Sequence, residues 1–197
     1  MQFQPAKLAA IEAFWDTRTG QALHLFAWPD AKAQTNRLEV SIPRLGSLLT
    51  AGDANAEVTG LKAFAPRARP PVAIVFWAFR IMAGLGFAMI GLGLWGGFLC
   101  WRGGVAHARW FLRAAIAMGP AGFVAVIAGW VVAEVGRQPY VIYGVLRTAE
   151  AVSPVTSGEV SASLIAFLII YALIFSVGAL YILRLIAEGP LAGAAEH

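Results

Sequence analysis

Long apolar runs dominate the pattern of the chain. Val72 to Cys100 holds a single charged residue, Arg80, and Trp110 to Ala133 holds one, Arg113, near its start. Ser161 to Leu183 holds none. A helix of about 20 predominantly apolar residues can cross a hydrocarbon core of about 30 Å. The three runs therefore predict three transmembrane helices.

The first seventy residues follow a different, mostly polar pattern. Pro5 to Phe14 predicts a short helix, because Pro is favoured in a first helical turn. Leu23 to Trp28 is an apolar patch that ends at the turn signal Pro29-Asp30. Alternate apolar residues from Leu38 to Ile42 predict one short strand. Small and polar residues at 51–58 predict a mobile loop.

Composition excludes several other classes of protein. Apolar residues make up 59% of the chain and charged residues 13%, whereas a soluble domain is about 25% charged. The net charge of +4 comes from scattered basic residues, so nucleic acid is not a predicted partner. Cys100 is the only cysteine, which rules out an intramolecular disulfide. The histidines lie far apart and outside the apolar runs, so no zinc site is predicted; they are His24, His107 and His197.

Charge between the first two runs sets the predicted orientation. Arg102 and Arg109 lie there without an acidic residue, which indicates a cytoplasmic loop. The predicted fold is an all-α integral membrane protein with an outer-face segment before three transmembrane helices. In chain order we expect an outer segment (1–70), a helix (71–101), a cytoplasmic loop (102–109) and a second helix (110–133). An outer loop (134–160), a third helix (161–184) and a cytoplasmic tail (185–197) follow.

This orientation requires the polar first segment to cross the membrane. Met1 to Leu8 contains no apolar core of the signal-peptide kind. We therefore expect further transmembrane helices, either upstream of Met1 or on a separate chain. The three predicted helices would then be part of a larger helical bundle.

Arg80 and Met82 lie inside the first apolar run, in the segment FWAFRIM at 76–82. A charge within a span is costly and usually faces a partner or a cavity. Arg80 could hold carboxylates such as haem propionates through paired hydrogen bonds, and the Met82 thioether could ligate haem iron. Alternatively, Arg80 snorkels to the interface and Met82 fills a gap between helices.

Trp130, Glu134 and Arg137 are spaced at i, i+4 and i+7, which places them on one helix face. A carboxylate at the outer membrane boundary could ligate iron or accept a proton, and Arg137 would hold it ionised. Alternatively, the two charges form a helix-end salt bridge beside an interfacial tryptophan.

Lys7 and Glu12 are the charged residues of the first predicted helix. Five positions apart, they lie about 140° from each other around a helix, so a mutual ion pair is poorly arranged. They could grip the two ends of a polar head group, or they could be solvated charges.

Three segments resemble, in order, signature segments of cytochrome bd quinol oxidase subunit I. They are QPAKLAAIEA at 4–13, FWAFRIM at 76–82 and GWVVAEVGRQPY at 129–140. GRQP is highly specific to that family. The resemblance covers essentially the whole chain but only the last part of the family's length.

The resemblance implies roles for residues of the outer segment and the first span. Lys7 and Glu12 match the quinol-oxidation residues of the family's outer Q-loop. Met82 matches the axial ligand of the low-spin haem b, and Arg80 lies beside that haem.

The resemblance also implies a second haem region and a reaction. Glu134 matches the ligand of the high-spin haem b, and Trp130 and Arg137 lie near the pair formed with haem d. Quinol would be oxidised at the outer face of the bacterial inner membrane and dioxygen reduced to water. Protons drawn from inside would generate a membrane potential.

Two departures from the family pattern qualify these expectations. Tyr140 follows GRQP where the family commonly has Trp, and about sixty residues separate Glu12 from the first span, as in the short-loop, cyanide-insensitive-like branch. The family's histidine ligands lie in upstream helices that this chain lacks. Haem d and catalysis are therefore expected only with the N-terminal part of subunit I and subunit II.

Two other functions remain open at this point. The chain could be a non-enzymatic membrane scaffold or small subunit whose charges only orient its helices. It could also be an inactive, truncated gene product.

Overall fold

A computed structural model describes residues 4–152 and 154–189. The chain forms two units, Met1–Ala151 and Val152–His197, which are described separately. Of the predicted cytoplasmic tail, residues 190–197 lie outside the described residues.

The described elements are mostly helical. The helices are α1 Pro5–Glu12, α2 Leu45–Ala51, α3 Val72–Trp101, α4 Arg109–Ala117, α5 Ala121–Val135 and α6 Ser157–Glu188. The strands are β1 Arg18–Thr19, β2 Leu23–Asp30, β3 Thr35–Ile42, β4 Glu57–Val58, β5 Tyr140–Ile142 and β6 Leu146–Arg147. Short 3-10 turns lie at Leu61–Ala63, Pro66–Ala68 and Val105–His107.

The segment before the first span, residues 4–70, contains more strand than its pattern predicts. The predicted strand at 38–42 is the second half of β3, which pairs antiparallel with β2 from Leu23↔Ile42 to Asp30↔Thr35. The prediction of a turn at Pro29-Asp30 is wrong, because both residues lie in β2. The Asp30 carboxylate accepts the backbone N–H groups of Lys32 and Ala33, at 3.0 Å each, so the chain reverses after it.

The predicted loop at 51–58 is also corrected by the structure. It contains the last residue of α2, a turn, and strand β4, which pairs with β1. The Ser47 hydroxyl fixes this region by donating to Ala56 O at 2.9 Å and accepting from the Gln21 N–H at 2.7 Å.

Helix α1 packs against the start of α3 and forms the core of the first unit. It ends at Glu12, two residues before the predicted end, because Ala13 adopts a left-handed conformation with φ 52°. Ala9 and Phe14 are fully buried, as are Val75 and Phe76 of α3. Burying these apolar surfaces together fixes the N-terminal segment on the first span.

Among the described residues, three stretches of helix are long and apolar enough to cross a membrane, and they confirm the predicted membrane fold. They are Pro66–Trp101, Arg109–Val135 and Ser157–Glu188. The second stretch is not the continuous helix predicted at 110–133, since α4 ends at Ala117 and α5 begins at Ala121. Pro120 lies between them, and proline lacks an N–H and clashes with the preceding turn.

Helix α3 packs closely against α4 and α5 where glycines allow it. A Cβ on Gly129 would lie 2.9 Å from Met82 Sδ, and one on Gly96 would lie 2.9 Å from the Phe111 ring. Small residues at helix contacts are typical of packing in lipid.

The second unit contains α6. This helix begins with a capping box, in which Thr156 and Glu159 satisfy each other's backbone N–H groups. It extends four residues beyond each end of the predicted span at 161–184. None of its side chains is buried.

Candidate functional site

A buried ion pair joins the segment before the first span to that span. Arg80 Nη2 lies 2.7 Å from Glu12 Oε2, and the two side chains are only 13% and 7% exposed. Arg80 Nε also donates to His24 O at 2.8 Å. The guanidinium lies 4.5 Å from the centroid of the Phe76 ring, a distance at which cation–π attraction is effective.

Local structure places both members of this pair. Glu12 is the last residue of α1, and α1 packs on the first turns of α3. Arg80 lies about two turns into α3 and reaches back toward α1. A buried charge requires a partner, and the two side chains satisfy each other across 68 positions of sequence.

The ion pair lies on the wall of an apolar cavity of about 900 Å³. Other lining residues come from α1, β2, α2 and α3, and include Leu8, Leu25, Leu49, Phe79 and Phe87. Small-molecule sites are typically concave, largely apolar and supplied with a few polar groups. This cavity fits an apolar ligand with one polar end.

Lys7 belongs to a different contact, between α1 and the end of α5. Its Nζ donates to Ala133 O at 3.3 Å, and its side chain covers Gly136, where an added Cβ would lie 3.1 Å from Lys7 Cε. Burial lowers the pKa of Lys7, the positive charge of Arg137 lowers it further, and Glu134 opposes the change. A lysine here satisfies one of the last carbonyls of α5 and complements the helix dipole.

Glu134 and Arg137 form a looser pair than Glu12 and Arg80. Glu134 Oε1 lies 3.8 Å from Arg137 Nη2, and the side chains are 50% and 43% exposed. Trp130, one turn earlier, is 66% exposed. The Glu134 carboxylate is therefore open to a further ligand.

The structure combines the predicted residues differently from the sequence reading. Glu12 pairs with Arg80, for which the sequence predicts a place beside a haem. Lys7 instead lies near the charges of Glu134 and Arg137. Met82 lies on α3 with its sulfur against Gly129 of α5. The haem and quinol roles of all these residues remain predictions.

His24 was missed as a site residue. It is 8% exposed, and its Nδ1 lies 2.8 Å from Glu12 O. A polar residue within the apolar patch at 23–28 was the available signal, since a buried histidine requires hydrogen-bond partners.

Comparison with known proteins decides the family. A family profile for cytochrome bd terminal oxidase subunit I matches residues 1–190. The chain belongs to this family. The predicted resemblance is thus confirmed.

Relatives of this bd oxidase subunit I chain include full-length bacterial oxidase subunits. Cytochrome bd ubiquinol oxidase subunit 1 of Bacillus subtilis is 36% identical over 100% of this chain and 43% of its own length. Cytochrome bd-II ubiquinol oxidase subunit 1 of Escherichia coli is 29% identical over 100% of this chain and 51% of its length. The chain spans about half the length of these curated relatives.

A solved structure agrees with the sequence comparison. The bd oxidase from Geobacillus thermodenitrificans superposes with a TM-score of 0.79 and 30% identity, over 96% of this chain and 43% of that one. With the three candidate spans, the family indicates a bacterial membrane protein of an oxidoreductase family.

The family also implies haem, and the side chains present fit that group. Met82 offers a thioether from α3, and Glu134 offers a half-exposed carboxylate from α5, and both atom types ligate metals. Among the described residues, no group of three or more His, Cys, Asp and Glu side chains could hold a metal ion by itself.

Proposed function

We propose that this chain is the C-terminal part of a cytochrome bd-type subunit I and that it oxidises quinol in the cavity beside Glu12 and Arg80. The observation that carries the proposal is the buried Glu12–Arg80 pair on the wall of an apolar cavity of about 900 Å³. A quinol is an apolar molecule with a hydroxyl-bearing ring, which matches this combination of surfaces.

Glu12 supplies the acceptor for the quinol hydroxyl. A carboxylate paired with a guanidinium accepts a strong hydrogen bond and takes the proton as electrons leave the ring. The apolar walls, including Phe79 and Leu25, contact and position the ring.

The haem ligands proposed from this chain lie on α3 and α5. Met82 would hold the low-spin haem b, with Arg80 nearby, and Glu134 the high-spin haem b, with Trp130 and Arg137 near the pair that includes haem d. When bound, haem supplies one-electron transfer and dioxygen reduction. Lys7 supports quinol oxidation indirectly, since it holds the end of α5 beside Glu134.

Assembly and orientation complete the proposal. The chain acts with the N-terminal part of subunit I and with subunit II, in the bacterial inner membrane. Residues 1–70 face outside and the C-terminus inside. Quinol protons are released outside and protons for water are taken from inside, which makes the reaction electrogenic. By itself, the chain is inactive.

The test uses membranes that contain this chain together with the upstream part of subunit I and subunit II. We expect haem b and haem d bands in the reduced-minus-oxidised spectrum, and quinol-dependent oxygen uptake. Glu12→Gln should lower uptake at least about tenfold with haem content retained, because the amide still accepts a hydrogen bond from Arg80 but cannot take the quinol proton. The matched control is Glu57→Gln, which neutralises an exposed carboxylate of β4.

Two outcomes would reject the proposal. Unchanged uptake in Glu12→Gln removes Glu12 from the quinol site. Absence of haem bands in every combination favours the scaffold or the inactive gene product.

A further inference from the structure

Strand β2 separates two cavities of opposite character. Leu23 and Leu25 line the apolar cavity beside the ion pair. Ala22 and His24 line a second cavity of about 360 Å³, whose other walls include Asp16, Asn36 and Glu39. Successive side chains of a strand point to opposite faces, so His24 lies on the polar side of the same strand that borders the apolar cavity.

His24 makes a hydrogen bond with each member of the buried ion pair. Its Nδ1 lies 2.8 Å from the backbone O of Glu12, and its own backbone O accepts from Arg80 Nε at 2.8 Å. The Glu12–Arg80 contact of 2.7 Å closes the ring of three residues. His24 therefore links the backbone of Glu12 to the guanidinium of Arg80, in addition to their direct contact.

The partners of His24 determine where its protons lie. A carbonyl oxygen only accepts hydrogen bonds, so Nδ1 carries a hydrogen and the neutral ring has its lone pair on Nε2. Nε2 lies 3.5 Å from Glu39 Oε2, whose side chain is 50% exposed. Protonation at Nε2 converts this approach into a charge-assisted pair.

We infer that His24 is a positioning residue of the quinol site, and that its protonation against Glu39 makes quinol affinity depend on the pH outside the membrane. The inference rests on the proposed function. It adds two residues, His24 and Glu39, and a route by which the polar cavity acts on the Glu12–Arg80 pair.

The charges around His24 give the sign of this dependence. Glu39 of β3 and Asp16 place negative charge around the ring, and Arg80 of α3 and Arg18, which also lines the polar cavity, place positive charge near it. Of these groups, the Glu39 carboxylate approaches Nε2, at 3.5 Å. Glu12 of α1 presents its backbone O to the ring and directs its carboxylate to Arg80. Acid outside therefore tightens the ring of bonds and lowers KM for quinol, and alkali loosens it.

The experiment measures kcat and KM for decylubiquinol, by oxygen uptake of membranes containing the assembled oxidase, from about pH 5.5 to 8, where histidine titrates. In the wild type, KM should rise about threefold across this range, the size expected for a half-exposed ion pair. His24→Asn keeps a donor near Nδ1 without a titrating ring, so KM should become independent of pH. Glu39→Gln should reduce the wild-type rise.

His24→Phe removes both the hydrogen bond from Nδ1 to Glu12 O and the approach of Nε2 to Glu39. KM should rise about tenfold at every pH with kcat little changed, and His24→Asn should restore it. An unchanged KM in His24→Phe, or a wild-type pH profile in His24→Asn, overturns the inference while quinol oxidation by the wild type stands. If the wild type shows haem but no quinol-dependent uptake, the proposed function falls and this inference falls with it.

Discussion

Two Glu–Arg pairs near the ends of neighbouring helices show how differently the same residue types can be used. Glu12 and Arg80 are 2.7 Å apart and at most 13% exposed. Glu134 and Arg137 are 3.8 Å apart and about half exposed. The first pair comes from elements far apart in sequence, and the second from adjacent turns. Burial makes the first pair obligatory for the fold, whereas exposure leaves the second free to bind a ligand.

The largest expected effect comes from breaking the buried pair. Arg80→Leu leaves the Glu12 charge buried without a partner, and should lower the free energy of unfolding by about 3–5 kcal/mol. Glu12→Gln with Arg80→Leu should recover much of this loss, because no uncompensated charge remains. Thermal unfolding of the detergent-solubilised protein measures both. A double variant no more stable than Arg80→Leu would show that the charges are not coupled.

The contact between α3, which carries Arg80, and α5, which carries Glu134, gives the next largest effect. Gly129→Ala places a Cβ 2.9 Å from Met82 Sδ and should cost about 1 kcal/mol net. Gly93→Ala, in the same bundle, meets nothing within 4 Å and should gain about 0.5 kcal/mol from helix propensity. Unfolding of the two variants side by side isolates the contact. Equal stabilities would show that Met82 moves aside without cost.

The exposed pair should respond in the opposite manner to the buried one. Glu134→Gln should change the free energy of unfolding by less than about 1 kcal/mol, since exposed ion pairs contribute little. The same variant should lose the high-spin haem b signal in the assembled oxidase, because an amide replaces the proposed iron ligand. A large stability loss with an intact spectrum would reverse the roles assigned to the two pairs.

The smallest effect concerns Lys7, which lies beside the exposed pair. Its pKa is lowered from 10.5, chiefly by burial. The folded state therefore releases this proton at lower pH than the unfolded state does. The stability of the wild type relative to Lys7→Met should rise as pH increases from the folded pKa toward 10.5. Melting temperatures of both proteins at two alkaline pH values test this, and a constant difference would contradict it.

The sequence by itself determined the features that depend on local pattern. Apolar run length predicts the spans that become α3 and α6, and the i, i+3 spacing brings Glu134 and Arg137 together. The break at Pro120 is also a local feature, because proline interrupts a helix wherever it lies in the interior. The long apolar run around it obscured that signal. GRQP and the two segments that accompany it indicate the family from the sequence alone.

Only the tertiary structure decided which distant residues meet. Arg80 reaches Glu12 across 68 positions, and Lys7 reaches Ala133 across 126. The β2–β3 hairpin that brings His24 to both members of the buried pair was predicted only as one strand and an apolar patch. Spacing encodes neighbours on one helix or strand, because those distances follow from fixed backbone geometry. Contacts between elements depend on how their surfaces pack, which no local pattern specifies.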